Sequence, residues 1–297
     1  MLLLRALLGA AVLAGCQSLP SIEELRAELE QDSSRGHLLD TVPFVRQESG
    51  GCGQAALASV LAYHGLQRDP SELARDTYLS AASGTLPFDL AYEAQRRGFA
   101  TREMRGVRLA ALLLWLDAGL PVITLRAAGP PLARQHHYDV LVGYDDRDGI
   151  LVLHDGERPF TMLTYASFLS HWTGWALAVL SEENVSKARL AEQAEQEGEL
   201  EEARRYYRAH LAGCPADLLA AFNLAGLEED AEAQPIYEAI LKLSPDDGPT
   251  LNNLADLLIR TGQDRDRAAG LLAHAIEVDP ANADLYRQTL AEAGAGR

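Results

Sequence analysis

A thiol, an imidazole and a carboxylate stand at Cys52, His137 and Asp155, and Gln47 offers a side-chain amide five residues before the thiol. These groups suit nucleophilic acyl chemistry. A cysteine attacks a carbonyl as its thiolate, an imidazole must take the proton, and an acceptor must fix the imidazole tautomer. Cys52 ends the glycine-rich run Gln47-Glu-Ser-Gly-Gly-Cys52, and an apolar stretch with helical character follows over 55–63. A thiol carried on the first turn of a helix meets unpaired amide N–H groups and the positive end of the dipole, which favour the thiolate. Gln47 could then donate to an oxyanion forming beside the sulfur.

The base is expected on a strand. In His137-Tyr-Asp-Val-Leu-Val-Gly-Tyr144, strand alternation puts His137, Asp139, Leu141 and Gly143 on one face and turns the adjacent His136 to the other. The turn at 145–149 ends in Asp-Gly and predicts a hairpin, whose second strand runs into His154 and Asp155. That return brings the Asp155 carboxylate to the histidine's end of the sheet. His154 should face away from Asp155, at the surface or behind the site. His136, His137, His154 and Asp155 lack a diagnostic ligand-pair spacing, so neither a metal nor another cofactor is expected.

The elements that must position these residues follow from periodicity. Helices are predicted over 70–78, 88–97 and 110–118, the first capped by Asp69 or Ser71 and the others ending at Gly98 and Gly119. Short β-branched or aliphatic runs at 121–126, 137–144, 149–154 and 175–180 read as strands. A helical subdomain carrying the thiol and an antiparallel sheet carrying the base make an α+β fold. Trp172 and Trp175 are expected in the core or the cleft wall.

With these pieces in place, the sequence resembles the bacteriocin-processing (double-glycine) peptidases and their relatives in the papain-like clan. The resemblance rests on Gln47 with Cys52-Gly53 and the following apolar helix. It also rests on His137 six residues before Gly143-Tyr144-Asp145, on Asp155 after a short strand, and on Ala118-Gly-Leu-Pro-Val122. It covers about 140 residues and implies Cys52 as nucleophile, His137 as general acid and base, Gln47 as oxyanion donor and Asp155 as the residue orienting His137. Gln54 stands where the family commonly has proline, and Gly156 follows Asp155 where proline is also common.

Residues 1–15 read as an export signal: Arg5, an apolar run over 6–14, then Leu13-Ala14-Gly15-Cys16. The last four residues resemble the bacterial lipobox, which implies acylation of Cys16 and a lipoprotein held at a membrane. Gln17 favours the periplasmic face of the outer membrane. Residues 16–37 read as a tether and 38–182 as the papain-like cysteine peptidase domain. Three cysteines cannot build a disulfide framework, and a net charge of −17 argues against nucleic acid as a partner.

From residue 185 to 297 the strand signals stop. Cys214-Pro215-Ala-Asp217, Ser244-Pro245-Asp-Asp247 and Asp279-Pro280-Ala-Asn282 recur 30 and 35 residues apart, close to the 34-residue tetratricopeptide period. Helices are predicted over 203–211, 218–227, 233–241, 250–259, 268–276 and 283–293, with Asn-Leu-Ala aligned at 223–225 and 253–255. This all-α region resembles tetratricopeptide repeats, which commonly bind a peptide or protein partner in a concave groove. The expected function is a membrane-anchored cell-envelope cysteine peptidase acting on a peptide or protein, with repeats recruiting substrate or partner. A non-catalytic scaffold and an acyltransferase using the same Cys-His pair are the alternatives.

Overall fold

The computed structural model describes residues 19–48, 50–79, 84–128 and 135–295; Cys16 and the export signal lie outside them. The chain begins with α1 (Ile22–Gln31), closed by a capping box in which Ser21 and Glu24 exchange hydrogen bonds, and β1 (Gly36–Leu38). Then come α2 (Cys52–Tyr63), α3 (Pro70–Thr77), β2 (Tyr78–Leu79), β3 (Gly84–Thr85), α4 (Pro87–Arg96), β4 (Ala100–Arg105) and α5 (Leu109–Asp117). The second half of this unit holds β5 (Val122–Ala128), β6 (Gln135–Asp145), β7 (Ile150–His154), β8 (Thr161–Thr164), α6 (Tyr165–His171) and β9 (Trp172–Leu180).

Seven strands form one antiparallel sheet in the order β4-β9-β5-β6-β7-β8, with β1 paired to the far end of β6. The predicted hairpin is present, its strands paired from Asp145↔Ile150 to Val140↔His154 across a bulge between Leu141 and Gly143. Strands β4 and β8 escaped the sequence reading. The Ala-Thr-Arg-Glu-Met-Arg run of β4 carries too few apolar residues to signal a strand, and β8 is four residues long.

The core lies between the sheet and its helices. Helix α2 is buried on every side from Gly53 to Leu61, as expected of a helix apolar all round. Its Leu57 and Leu61 are fully buried, each contributing roughly 1.5–3 kcal/mol of transfer free energy. Gly53 is needed at the crossing with β6, because a Cβ there would stand 3.2 Å from the Tyr138 ring and from Thr85.

The segment read as a tether is corrected. From Ser21 onward it is part of the domain: Leu25 and Leu29 belong to the main core, and β1 extends the sheet. The buried Arg35 clamps it through ion pairs to Asp145, Asp148 and Glu28. Only two core side chains mark this helix in the sequence, too few to separate a docked helix from an acidic linker.

The C-terminal region is all helical: α7 (Glu182–Gln196), α8 (Leu200–Leu211), α9 (Leu218–Leu227), α10 (Asp230–Leu243), α11 (Gly248–Arg260), α12 (Arg265–Val278) and α13 (Ala283–Ala295). The recurring proline landmarks have a physical reading. Each marks the stop of one helix, and the acid two residues after Pro215 and Pro245 caps the next. Asp217 accepts from the Ala220 N–H and Asp247 from the Thr250 N–H. The aligned asparagines are equivalent too: Asn223 donates to the Tyr207 hydroxyl and Asn253 to that of Tyr237. Helices in sequential pairs with repeated contacts are consistent with helical repeats.

The C-terminal helices sit against the β4 edge and α5. Cys214 and Ala216 join the main core, the Arg108 N–H donates to the Leu243 carbonyl at 2.7 Å, and Arg102 pairs with the fully buried Asp217 at 2.9 Å. The junction holds an open cavity of about 280 Å³, lined in part by Arg102, Arg105, Trp115, Asp217 and Phe222.

Candidate active site

Cys52 is the first residue of α2, so the helix starts three residues earlier than the apolar pattern alone suggested. The turn that delivers it bends through Gly50, at a φ of 75°. β6 supplies His137 near its N-terminal end, within electrostatic reach of the thiol. Burial pushes the Cys52 thiol up. The His137 side chain and its charge, with the Tyr138 and Gly53 backbones, outweigh it and leave the thiol below its ordinary value.

His137 shows the reciprocal effect. Burial alone would lower it, but Cys52 as partner, the Asp139 charge and the Asp155 backbone carry it up to about 9. Both shifts move the pair towards thiolate and imidazolium. The imidazole is 30% exposed, enough to reach a substrate.

The second imidazole nitrogen is where structure and expectation part. His137 Nε2 donates to the main-chain carbonyl oxygen of Asp155 at 2.6 Å. The Asp155 carboxylate turns the other way: it accepts from the Glu157 and Arg158 N–H groups at 2.9 and 2.6 Å and from the Thr161 hydroxyl at 2.8 Å. Asp155 thus orients His137 through its backbone and organises the following turn through its side chain. The carboxylate beside the ring is Asp139, with Oδ1 3.6 Å from Nε2. With Nε2 committed, Nδ1 is the nitrogen left for Cys52.

Asp139 is fully buried and held by a two-point bond from Arg126 at 2.5 and 2.7 Å. Arg126 sits on β5 directly across from His137. Strand alternation had already placed Asp139 on the face of His137; the bias toward an acid after the hairpin hid its role.

Gln47 lies beside the site but is not yet aimed at it. Its Nε2 donates to the Glu157 carboxylate at 2.7 Å, and its backbone N–H donates to the Gly156 carbonyl at 2.8 Å. Its Oε1 is buried without a hydrogen-bond partner among the described residues. Gly156 makes the seat for this side chain: at a φ of 78°, a Cβ would stand 2.6 Å from Gln47 Oε1. The glycine in place of the family's proline is therefore explained locally. Gln54, in place of the other proline, is buried and donates to the Thr85 hydroxyl at 2.5 Å.

His154, expected at the surface or behind the site, is buried behind it. Nε2 donates to the Val42 carbonyl at 3.1 Å, Nδ1 accepts from the Phe160 N–H at 3.3 Å, and burial holds the ring below its ordinary value. It is a neutral structural histidine, packed edge-on between Phe44 and Phe160. Together with Cys52, Val45, Ala56, Ser59, Tyr138, Val140 and Gly156 it lines a crevice too narrow to hold a water molecule. A wider cleft adjoins the same loop, walled by Glu48, Gly50, Gly51, Gln54, Pro70, Ser71 and Ala74. The larger junction cavity is built from β4 and the C-terminal helices and contains neither Cys52 nor His137. Trp175 is buried against Tyr138, and Trp172 donates to the Trp175 carbonyl; Trp175 belongs to the main core and Trp172 packs against it.

Residues 41–184 match the sequence profile of the Peptidase C39 family, and the matched segment is a C39-like cysteine-type peptidase domain. None of the curated proteins matches the chain. Among solved structures, the peptidase domain of Streptococcus ComA, a bifunctional ABC transporter of a quorum-sensing pathway, is 25% identical with a TM-score of 0.41. The alignment covers 47% of this chain and 98% of that one. A double-glycine-motif protease from an AMS/PCAT transporter, solved with a leader peptide, is 20% identical over 50% of this chain and 96% of its own, with a TM-score of 0.38. The peptidase C39-like domain of a toxin-secretion ATP-binding protein from Vibrio parahaemolyticus is 19% identical over 46% and 99%, with a TM-score of 0.36.

Proposed function

We propose that this cysteine-type peptidase cleaves peptide bonds in proteins or peptides of the bacterial cell envelope, using Cys52 as nucleophile and His137 as general acid and base. The observation that carries the reading is the pairing of the two side chains at the start of α2 and the N-terminal end of β6, where each shifts the other, the thiol down and the imidazole up.

In the proposed cycle the Cys52 thiolate attacks the scissile carbonyl carbon, and the carbonyl oxygen takes the displaced electron pair. The Cys52 main-chain N–H and the Gln47 amide stabilise that oxyanion, which requires Gln47 to leave Glu157. The tetrahedral intermediate collapses as the His137 imidazolium protonates the leaving amine, giving a thioester. His137, now neutral, takes a proton from water as the water attacks the thioester, and the second collapse returns thiolate and imidazolium. The Asp155 carbonyl keeps the ring oriented through both steps.

Location and partner complete the proposal. The lipobox ending at Cys16 supports acylation there and attachment to a membrane, with Gln17 favouring the outer membrane's periplasmic face. The C-terminal helices are read as tetratricopeptide repeats that recruit the substrate or a protein partner. The repeated Asn–Tyr pairs and the near-34-residue spacing of the prolines support this.

The test is labelling of the full chain with a thiol-reactive peptide probe, wild type against Cys52→Ala. Labelling that depends on Cys52 is expected. Equal labelling of a folded Cys52→Ala variant would sink the reading.

A further inference from the structure

We infer that Asp139, clamped by Arg126, is the positioning residue whose charge keeps His137 protonated beside Cys52, and that the Asp155 carboxylate takes no part in that task. The inference rests on the peptidase reading of Cys52 and His137 and assigns the third member of the site.

Three geometric facts carry it. First, Asp139 is the carboxylate at the Nε2 edge of the imidazole, with Oδ1 3.6 Å from that nitrogen, whereas Asp155 presents a carbonyl there and spends its carboxylate on the 157–161 turn. Second, Asp139 cannot swing: it is fully buried and fixed at both oxygens by Arg126. A buried charge close to an imidazole acts with little solvent screening, so a small separation matters more here than at a surface. Third, β5 and β6 set the pair in register, because Arg126 lies directly opposite His137 and Asp139 opposite Thr124. Arg126 therefore restrains Asp139 in both place and charge. Burial is the larger influence and raises this carboxyl above its ordinary value, and the guanidinium opposes it and favours the ionised form.

The charged groups facing His137 are Cys52 from α2, Asp139 from its own strand, Arg126 from β5 and the Asp155 main chain at the end of β7. Cys52 and Asp139 favour the imidazolium; Arg126 opposes it from behind Asp139. Removing Asp139 leaves Cys52 as the one anionic partner among these groups. The thiolate–imidazolium pair should then form less readily and persist over a narrower pH range.

The test is a titration of the His137 ring by 15N NMR in the full histidine-labelled chain, which needs no substrate. Wild type should titrate near 9, Asp139→Asn at least one pH unit lower, and Asp155→Asn within a few tenths of wild type. Because Asp139→Asn strands a guanidinium, an Arg126→Met Asp139→Leu double variant removes the pair together and should shift in the same direction by a smaller amount. A merely structural Asp139 would change unfolding without moving this titration. A wild-type titration position in the double variant, or a downward shift in Asp155→Asn alone, would overturn the inference. If the Asp139-dependent shift appears but no Cys52-dependent probe labelling does, the peptidase reading has failed and this assignment of charge has not.

Discussion

His137 Nε2 lies 2.6 Å from the carbonyl oxygen of Asp155, while the carboxylate of the same residue faces the turn beyond it. A main-chain acceptor fixes a ring as firmly as a side chain does, but it brings no full charge. Orientation and charge at this histidine thus come from different residues. With Nε2 held, the imidazole can present only Nδ1 to Cys52.

That arrangement predicts the alkaline limit of activity. His137 sits up at about 9, and the imidazolium is the form that donates to the leaving amine. Its proton is present below that pH and lost above it, so kcat/KM should hold through neutral pH and fall as pH passes about 9. Rates against a Cys52-dependent peptide substrate between pH 6 and 10.5 provide the check. A fall already complete by pH 7.5 would mean an unassisted histidine.

Gln47 should be worth a large factor in rate. Losing one oxyanion donor typically lowers kcat by roughly 10²–10³-fold, so Gln47→Ala should show that loss with KM little changed. Gly156→Ala attacks the same side chain indirectly, since the new Cβ would overlap Gln47 Oε1 in a left-handed backbone. Its strain costs about 1–2 kcal/mol, and its kcat should fall in the same direction as Gln47→Ala. Wild-type kcat in both variants would remove Gln47 from the oxyanion site.

Asp217 ties the C-terminal helices to the peptidase domain. It is fully buried, bonded to Arg102 and His210, and caps α9. Removing one partner of a buried pair costs roughly 3–5 kcal/mol, so Asp217→Ala should lower unfolding stability in urea by that order. Limited proteolysis of the variant should gain cleavage near residues 181–217. Unchanged stability would mean that the junction contributes little to the fold.

The opening helix gives a contrast with a tether. Leu25 is fully buried in the main core; truncating a core leucine costs roughly 2–5 kcal/mol. Leu25→Ala should therefore destabilise the peptidase domain in urea, where a true linker residue would be neutral.

Much of this was legible in the sequence for physical reasons. The Cys52 helix, the hairpin and the repeat helices carry strong periodicity or capping residues, and their bounds agree with the structure within a few residues. Cys52 and His137 were found because their chemistry requires each other, and the structure joins them. Gln47 and Asp155 were placed in the right neighbourhood, but a sequence cannot tell which atoms of a residue face a site. The bond from Gln47 to Glu157 and the outward carboxylate of Asp155 are products of one tight turn at Gly156. Asp139 was visible on the correct face of β6, yet only the pairing of β5 with β6 reveals its clamp, Arg126. A short acidic helix over 23–31 capped near Ser21 was legible, but its docking onto the core and strand β4 were not, because few of their residues are apolar.

The central claim is that His137 activates Cys52, and the pH dependence of Cys52 alkylation measures it most directly. Iodoacetamide rates on the wild type should follow a thiolate titrating below the ordinary cysteine value of about 8.5. In His137→Asn the midpoint should rise to that value or above, because burial then acts without its counterweight. Superimposable profiles for the two proteins would contradict the account.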